Sequence, residues 1–414
     1  MSSLPEADPA IANFLGWLGQ AGAQLSAFEI VSLGGGERGM RATTDMPAEE
    51  LLMRIPRRCV LSVPDARASE IGRLLEAHGQ LEDERMFLSA FLLQERERGE
   101  ASFWKPFLDI LPKSFPTHPF YFDDRELALL KGSALQGWVE SQRKSLANRY
   151  EHLCQHVPGF QRFTFEAFTW AYFAVVSRTF TMKHQGTPVA CLVPLVDMIN
   201  ESKFWDSRWS WSDEGQCFEV KTLRAVPQGQ EFFTSYGDKS NLRLLFQYGF
   251  VHADNVHNEV SVLFGLRPDD PLAGQKQRLL GLADPSEQRS FKLELALFSP
   301  ALTEMFSFLR VVLADTEDFA RLKDAPDPLV RARGMLSSGN EQKLIPTFVA
   351  ACEQRLASYP TSLEEDMRML QEEKLSLNAR SCVVLRQGEK QILQTLARSY
   401  GEMGRAGFLP CWKS

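Results

Sequence analysis

Two short runs in the middle of the chain constrain its fold more than any other part of the sequence. The first, Pro194-Leu195-Val196-Asp197-Met198-Ile199-Asn200, is apolar until it ends at an acid and an amide, which predicts a strand whose polar end can meet a ligand. The second, Ser235-Tyr236-Gly237-Asp238-Lys239-Ser240-Asn241, predicts a turn that Asp238 or Ser240 joins to a helix by capping it. That helix has one apolar face, formed by Leu242, Leu245, Phe246 and Phe250.

Both runs resemble the signature of the SET-domain protein methyltransferases. The sequence Leu245-Phe246-Gln247-Tyr248-Gly249-Phe250 narrows the resemblance to the branch typified by the RuBisCO large-subunit lysine methyltransferase. It implies an α+β fold, in which a β-rich pseudoknotted SET domain with a helical insertion precedes an all-helical C-terminal domain. It also implies S-adenosylmethionine as the cofactor and methyl transfer to a lysine of a protein or peptide as the reaction.

The pattern of apolar residues and turns gives the chain a predicted organisation. We expect an N-terminal helical segment over 1–27, the two parts of the SET domain over 28–63 and 166–260, a helical insertion over 64–165, and a helical substrate-binding-like domain over 261–414. Within these, the periodicity predicts helices at 10–25, 127–154 and 165–178, and strands at 28–33, 40–44, 51–55, 59–63 and between 189 and 233. Residues 104–112 and 314–342 are predicted to be loops. The C-terminal helices resemble those of the family only in general character, and the resemblance rests on two runs, Phe308-Leu309-Arg310 and Leu385-Arg386-Gln387-Gly388-Glu389-Lys390.

Composition excludes several classes of protein. A net charge of −7 without a long Lys/Arg run argues against a general nucleic-acid binder. No stretch approaches the roughly 20 apolar residues of a membrane span, and the N-terminus lacks the basic residues of a targeting signal. The seven cysteines are scattered, with no Cys-x-Cys or Cys-x-x-Cys pair, which indicates reduced thiols and no structural zinc. We therefore expect a cytoplasmic monomer.

The glycine-rich run Gly34-Gly35-Gly36-Glu37-Arg38-Gly39 has the spacing of a dinucleotide fingerprint. That motif needs a helix directly after it, whereas the β-branched residues and proline of 43–47 favour a strand and a turn. The resemblance implies instead a turn close to the amino-acid end of S-adenosylmethionine, formed by Glu37, Arg38 and Gly39. Glu37 stands where the family has its first glycine.

The resemblance implies further cofactor contacts from polar residues. Arg178 closes an aromatic helix, and its guanidinium fork suits a carboxylate. The amide of Asn200 offers both donors and an acceptor to the cofactor. Glu201 replaces the family's usual histidine, whose backbone commonly contacts the adenine. Asp197 is equally well interpreted as a cofactor contact and as a buried structural acid.

Tyr236 is the predicted catalytic residue, because its hydroxyl can hold a deprotonated lysine amine in line with the methyl group. It is also a predicted cofactor contact, because its oxygen can help to orient the activated methyl group. Tyr248 and Phe250 are predicted to line the lysine channel, with Phe250 also at the cofactor. Phe180 and Val196 are the predicted specificity positions. Histidine-directed relatives carry Asn and Trp there, so Phe and Val favour lysine.

Three alternatives remain open at this point. A histidine-directed methyltransferase would keep Tyr236 and Asn200, and a degenerate SET-fold interaction protein is suggested by Glu37 and Glu201. A dinucleotide oxidoreductase is the third. A metal at His152, Cys154 and His156 is disfavoured, because the cysteine points away from the two histidines on a helix and no fourth ligand is evident.

Overall fold

The computed structural model describes residues 8–34, 37–79, 83–184, 186–371 and 374–406. Glycines 35 and 36 and Cys411 lie outside these ranges. The chain divides into two compact units. The first comprises the chain up to residue 115 together with 142–237, and the second comprises 116–141 together with the chain from 238 onward. The predicted mixed α+β class is confirmed, whereas the predicted domain boundaries stay predictions.

The elements up to residue 237 are, in chain order, α1 (Pro9–Gln20), β1 (Gln24–Leu25), β2 (Phe28–Gly34), β3 (Glu37–Ala42), β4 (Leu51–Pro56), β5 (Leu61–Ser62), α2 (Val63–Ala68), α3 (Glu70–His78), α4 (Arg85–Arg98), α5 (Lys105–Ile110), α6 (Asp124–Ala128), α7 (Ala134–His156), α8 (Phe165–Val176), β6 (Thr179–His184), β7 (Thr187–Leu192), β8 (Ser207–Ser212) and β9 (Cys217–Thr222).

The strands of the first unit form small antiparallel sheets: β1-β4-β9-β8, β5-β7-β6 and the hairpin β2-β3. Strand β9 shows why the sequence forms them. Phe218 and Val220 are buried, and they alternate with the partly exposed Glu219 and Lys221, which is the period of two that a half-buried strand requires. The hairpin β2-β3 matters most for function, because β3 carries the predicted turn residues.

The apolar segment 104–112 is not a loop, as predicted, but contains the helix α5. Pro106 misled the prediction, although it lies in the first turn of the helix, where a missing N–H costs no hydrogen bond. Phe107, Leu108 and Ile110 are buried, so packing stabilises this short helix.

The predicted continuous helix over 127–154 is also wrong, because α6 and α7 are separate helices. Gly132 lies between them with a φ of 87°, a left-handed conformation that side chains disfavour. A Cβ at this position would lie 2.8 Å from Cδ1 of Tyr359. The break therefore depends on a glycine that a helical periodicity does not exclude.

The elements from residue 238 onward are α9 (Asn241–Tyr248), β10 (Glu259–Gly265), α10 (Ala273–Leu280), β11 (Gln288–Glu294), α11 (Pro300–Leu313), α12 (Thr316–Lys323), α13 (Pro328–Arg331), α14 (Ser338–Ala357), α15 (Leu363–Gln371) and α16 (Leu377–Arg405).

The C-terminal half is predominantly helical, as predicted, but it also contains the antiparallel hairpin β10-β11. In β10, the buried Val260, Val262 and Phe264 alternate with more exposed residues. This period of two was present in the sequence, and the all-helical description of the C-terminal domain is corrected on this point.

The predicted loop over 314–342 is wrong for most of its length, because it contains α12, α13 and the start of α14. Asp315 and Asp327 cap the first two helices by accepting hydrogen bonds from backbone N–H groups of the first turn. Phe319 and Leu322 of α12 are buried. The Asp, Pro and Ser residues that suggested a loop are thus helix starts.

Helices α11, α14 and α16 each carry a stripe of apolar residues. They pack together in one hydrophobic core with the hairpin β10-β11. The buried members are Leu302, Phe306 and Leu309 of α11, Leu344, Phe348 and Cys352 of α14, and Ile392 and Leu396 of α16.

The described cysteines, at positions 59, 154, 191, 217, 352 and 382, are all free thiols. Among the residues that the structure describes, no helix combines the length and the apolar character needed to cross a bilayer.

Glu389 of α16 is a buried carboxyl group that joins three segments of the second unit. Its two carboxylate oxygens accept hydrogen bonds from the hydroxyls of Ser133 and Tyr359, each at 2.8 Å. Burial raises the pKa of the Glu389 carboxyl to about 7, although these two hydroxyls and the cations of Arg355 and Lys390 act in the opposite direction.

We expect this raised pKa to make the stability of the protein depend on pH. The folded state binds the Glu389 proton more tightly than the unfolded chain, so its contribution is largest at low pH and is lost as the pH rises towards 7. When the pH is raised from 5 to 7, the unfolding free energy of the wild type should fall by about 2 kcal/mol more than that of the Glu389→Gln variant. Urea denaturation of both chains at the two pH values measures the difference, and parallel pH profiles would contradict the assignment.

Candidate functional site

The run 194–200 brings the predicted polar residues to the site by a route different from the predicted strand. It forms a turn followed by one 3-10 turn at Val196–Met198. The strand prediction was wrong because consecutive apolar residues indicate burial but carry no period of two. Leu195 has a φ of 76°, and this unusual conformation for a non-glycine residue redirects the chain.

Glu37, Arg38 and Gly39 do not form the predicted turn but lie in strand β3, where they pair with residues of β2. The amide of Asn200 connects its own segment to this strand. Its Nδ2 donates to the backbone carbonyl of Arg38 at 2.9 Å and to Oε1 of Glu231 at 2.8 Å. Gly39 lies directly beside the same carboxylate, and a Cβ at this position would collide with Glu231. A side chain at position 39 would therefore displace the end of the Glu231 side chain, and Asn200 fixes strand β3 against its own segment.

The buried carboxylate of Asp197 and the partly exposed guanidinium of Arg178 form an ion pair next to this strand. Nη1 of Arg178 donates to Oδ2 of Asp197 at 3.0 Å and to its backbone carbonyl at 2.9 Å. Burial raises the pKa of the Asp197 carboxyl, while Arg178 and Arg38 act to lower it. Burial, followed by the charge of Arg178, lowers the pKa of Arg38. The guanidinium groups of Arg38 and Arg178 and the carboxyl group of Asp197 thus lie close together, and burial reduces the hydration of Arg38 and Asp197.

Tyr236 belongs to the same part of the first unit. Its hydroxyl donates to the backbone carbonyl of Ile199 at 3.1 Å. The backbone N–H of Thr234 donates to the carbonyl of Asn200 at 2.9 Å, and Thr234 forms an isolated parallel bridge with Glu201. The predicted phenol and the predicted amide are therefore held on two paired backbone segments.

Three other predicted residues have less direct connections to the cluster formed by Arg38, Arg178, Asp197, Asn200 and Tyr236. Glu37 is exposed at the start of β3. Phe180 packs edge-on against the rings of Trp209 and Phe218, with centroids 5.4 and 5.5 Å away. Val196 is buried.

Tyr248 and Phe250 lie in the second unit, where their rings are 6.0 Å apart. Their predicted roles at the cofactor and in a lysine channel remain predictions.

The start of helix α9, in the second unit, is not capped as predicted. Its N-cap residue is Ser240, but the Ser240 side chain accepts no capping hydrogen bond, and among the described residues the side chain of Asp238 accepts none either. The N–H of Asn241 instead donates to Oδ1 of Asn258 at 3.0 Å, so an amide 17 residues later takes the predicted capping role.

Glu231 and Ile110 are the participants that the sequence analysis missed. Glu231 accepts from Asn200 and abuts Gly39, and the carbonyl of Ile110 accepts from the guanidinium of Arg38. The Pro-Gln-Gly turn at 227–229 marks the start of the segment that carries Glu231, but no spacing distinguishes this acid from a surface residue. A backbone carbonyl leaves no trace in a sequence.

Two other interpretations can be compared with the geometry. The glycine-rich run continues into strand β3 and not into a helix, so the first turn of a helix that would hold a pyrophosphate is missing after Gly39. His152 and His156 stack at 4.2 Å, but the described residues contain no cluster of three or more His, Cys, Asp or Glu that could hold a metal.

Two protein families match the chain in succession. The SET domain matches residues 37–237, and the Rubisco LSMT substrate-binding domain matches residues 267–393. The chain is a SET-domain protein of the Rubisco LSMT-like family. The cofactor of this family is S-adenosylmethionine, and the chain is an S-adenosylmethionine-dependent SET-domain methyltransferase.

Similar proteins include the actin-histidine N-methyltransferases of Papio anubis and Homo sapiens. Each is 28% identical in an alignment that covers 94% of this chain and 67% or 68% of the relative. Among solved structures, the SET domain of LSMT bound to lysine and AdoHcy has a TM-score of 0.81 at 24% identity, covering 96% of this chain and 92% of that chain. Rubisco LSMT bound to AdoMet has the same TM-score and identity, with 98% and 95% covered. These structures establish the SET fold.

The side chains of Arg38, Arg178 and Asp197 fit the amino-acid end of S-adenosylmethionine. Nε of Arg178 and Oδ1 of Asp197 are buried without a hydrogen-bond partner. Such orphaned groups are costly in a protein interior, and they are one donor and one acceptor. A ligand with a carboxylate and an ammonium group carries the complementary pair. Arg38, Arg178 and Asp197 are thus the charged residues that would hold the cofactor.

Replacing Asn200 with alanine should raise the dissociation constant for S-adenosylmethionine about tenfold. The variant loses the hydrogen bond that fixes strand β3 at the carbonyl of Arg38 and leaves the carboxylate of Glu231 without this donor, at a cost of ~1–2 kcal/mol. Calorimetric titration with the cofactor measures the change. Gln24→Ala, which removes an exposed amide from the same unit, is the matched control, and an unchanged constant in Asn200→Ala would refute the role.

Proposed function

We propose that the protein is a protein N-methyltransferase whose methyl acceptor is a lysine side chain. The observation that carries this proposal is the arrangement of Tyr236 and Asn200. The phenol and the amide lie on paired backbone segments, close to the ion pair of Arg178 with the buried Asp197. A hydroxyl in that place can orient an amine next to a bound sulfonium.

Each residue of the cluster has a definite task in this proposal. Arg178 and Arg38 bind the carboxylate of the cofactor, and Asp197 accepts from its ammonium group. Asn200 keeps strand β3 in place through the carbonyl of Arg38. S-adenosylmethionine, when bound, supplies the activated methyl group. The lysine amine must first release its proton to water, because its ordinary pKa is about 10.4. Tyr236 accepts a hydrogen bond from the neutral amine and orients its lone pair, which would form the new N–C bond as the bond between the methyl carbon and the sulfur breaks and S-adenosylhomocysteine leaves.

Lysine is favoured over histidine by the apolar character of the two specificity positions. An imidazole has two ring nitrogens, and when one faces the methyl group the other needs a hydrogen-bond partner. Phe180 packs among aromatic rings, and Val196 is a buried aliphatic residue, so neither side chain can provide one. A lysine amine has no second nitrogen and makes no such demand.

Histidine is the second candidate, and a specific observation favours it. The curated relatives at 28% identity are actin-histidine N-methyltransferases, and they align with 94% of this chain. Their names refer to those proteins and not to this one. A protein substrate is common to both candidates, so the question is which side chain receives the methyl group.

One labelling experiment tests the proposal. The full chain is incubated with methyl-labelled S-adenosylmethionine and a protein extract, the labelled proteins are hydrolysed in acid, and the labelled amino acids are separated. Label in N-methyllysine supports the proposal, and label in methylhistidine replaces it with the second candidate. Cofactor binding by calorimetry runs in parallel, because a protein that neither binds nor transfers would be a degenerate interaction protein. Tyr236→Phe serves as the blank.

A further inference from the structure

The loop 202–206 of the first unit exposes two adjacent aromatic side chains. Phe204 is 67% exposed and Trp205 is 41% exposed. Large aromatic residues contribute much of the stability of a protein when they are buried, and two neighbours left in solvent keep that apolar area available for binding. Exposed apolar surface of this kind is typical of places where a partner binds.

The loop is fixed in its exposed position by hydrogen bonds at several points. The N–H of Ser202 donates to the carbonyl of Thr234 at 3.3 Å, and the N–H of Asp206 donates to the carbonyl of Phe233 at 3.0 Å. Arg224 donates to Oδ1 of Asp206 at 2.5 Å and also to the carbonyl of Phe204. A surface held in this way is already ordered before it binds, which lowers the entropic cost of binding.

The same hydrogen bonds place the loop beside the candidate active site. Thr234, which receives the bond from Ser202, donates its own N–H to the carbonyl of Asn200. Tyr236 follows two residues after Thr234, which is about 7 Å along an extended chain. The loop therefore follows directly after the segment that carries Asn200, and both of its ends are hydrogen-bonded to the segment that leads to Tyr236.

We propose that Phe204 and Trp205 form a docking surface for an apolar side chain of the protein substrate, close in sequence to the residue that is methylated. This inference rests on the proposed function. An apolar group is favoured over a basic one, because Nζ of Lys203 already lies 5.3 Å from the centre of the Phe204 ring and would repel a second cation. Exposed aromatic anchors of this kind dominate the binding energy of many interfaces.

A peptide library tests the docking surface without knowledge of the natural substrate. Each peptide carries one central lysine, or in a second set one central histidine, and a single flanking position is fixed in turn while the others are randomised. Transfer from labelled S-adenosylmethionine measures the preference at each position. We expect the wild type to select an aliphatic or aromatic residue at one flanking position, and Phe204→Ala and Trp205→Ala to lose that selection.

The best peptide from the library then separates binding from chemistry. Phe204→Ala and Trp205→Ala should each raise KM about tenfold, with kcat and the dissociation constant of the cofactor retained. Phe103→Ala removes a 49% exposed aromatic side chain elsewhere in the first unit and should keep the selection. If all variants methylate the peptides and show the same flanking preference as the wild type, Phe204 and Trp205 do not form the docking surface. A library in which nothing is methylated, although the cofactor binds, overturns the proposed function and this inference with it.

Discussion

Replacing Tyr236 with phenylalanine is expected to lower turnover about 100- to 1,000-fold, the usual cost of removing one hydrogen-bonding group that acts on the reacting atoms. The substitution removes only the hydroxyl, which donates to the carbonyl of Ile199 at 3.1 Å and is placed to hold the acceptor amine. The charged residues Arg38, Arg178 and Asp197, which are predicted to hold the cofactor, keep all their own contacts. The affinity for S-adenosylmethionine should therefore change little.

Tyr150→Phe is the matched control for this experiment. The hydroxyl of Tyr150 also donates to a backbone carbonyl, that of Phe163, at 2.7 Å within the first unit. Both variants thus lose one phenol-to-carbonyl hydrogen bond, but only Tyr236 belongs to the cluster around Asn200. Turnover is measured with labelled cofactor and affinity by calorimetry. Retained turnover in Tyr236→Phe, or an equal loss in both variants, would remove Tyr236 from the catalytic role.

The part of the site that the sequence could predict consists of side chains whose chemistry is unusual for their position. An amide at the end of an apolar run, a phenol before a glycine turn and an arginine at the end of an aromatic helix each attract attention. The structure brings Asn200, Tyr236 and Arg178 together with strand β3 at Arg38 and Gly39. Their convergence could be expected only from the family resemblance, because they are separated by up to 198 positions in the chain.

The parts that escaped prediction depend on tertiary context. The run 194–200 has the composition of a buried strand, yet a positive φ at Leu195 makes it a turn, and no residue type announces that conformation. Glu231 resembles a surface acid until its two neighbours, Asn200 and Gly39, are seen beside it. Helix α12 starts at an aspartate, a residue equally common in loops, and the burial of Phe319 and Leu322 is what distinguishes the two cases.

Arg310 gives the second large expected effect, on stability and not on catalysis. Its side chain and that of Glu341 are both 0% exposed, and their atoms pair at 2.5 Å and 3.1 Å. Nη1 of Arg310 also donates to the backbone carbonyls of Ala332 and Arg333. One guanidinium thus satisfies a buried carboxylate and two buried carbonyls in the segment that joins α13 to α14.

Arg310→Met should lower the free energy of unfolding by about 3–5 kcal/mol, because it leaves the carboxylate of Glu341 buried without its cation. The pair itself contributes much less than this, since both charges lose their hydration when they are buried. The double variant Arg310→Met with Glu341→Leu removes both charges, and it should recover most of the loss. Urea denaturation of the wild type and both variants measures the three unfolding free energies. If the double variant is as unstable as the single one, the loss comes from the carbonyls of Ala332 and Arg333 or from packing, and the unpaired carboxylate is not its cause.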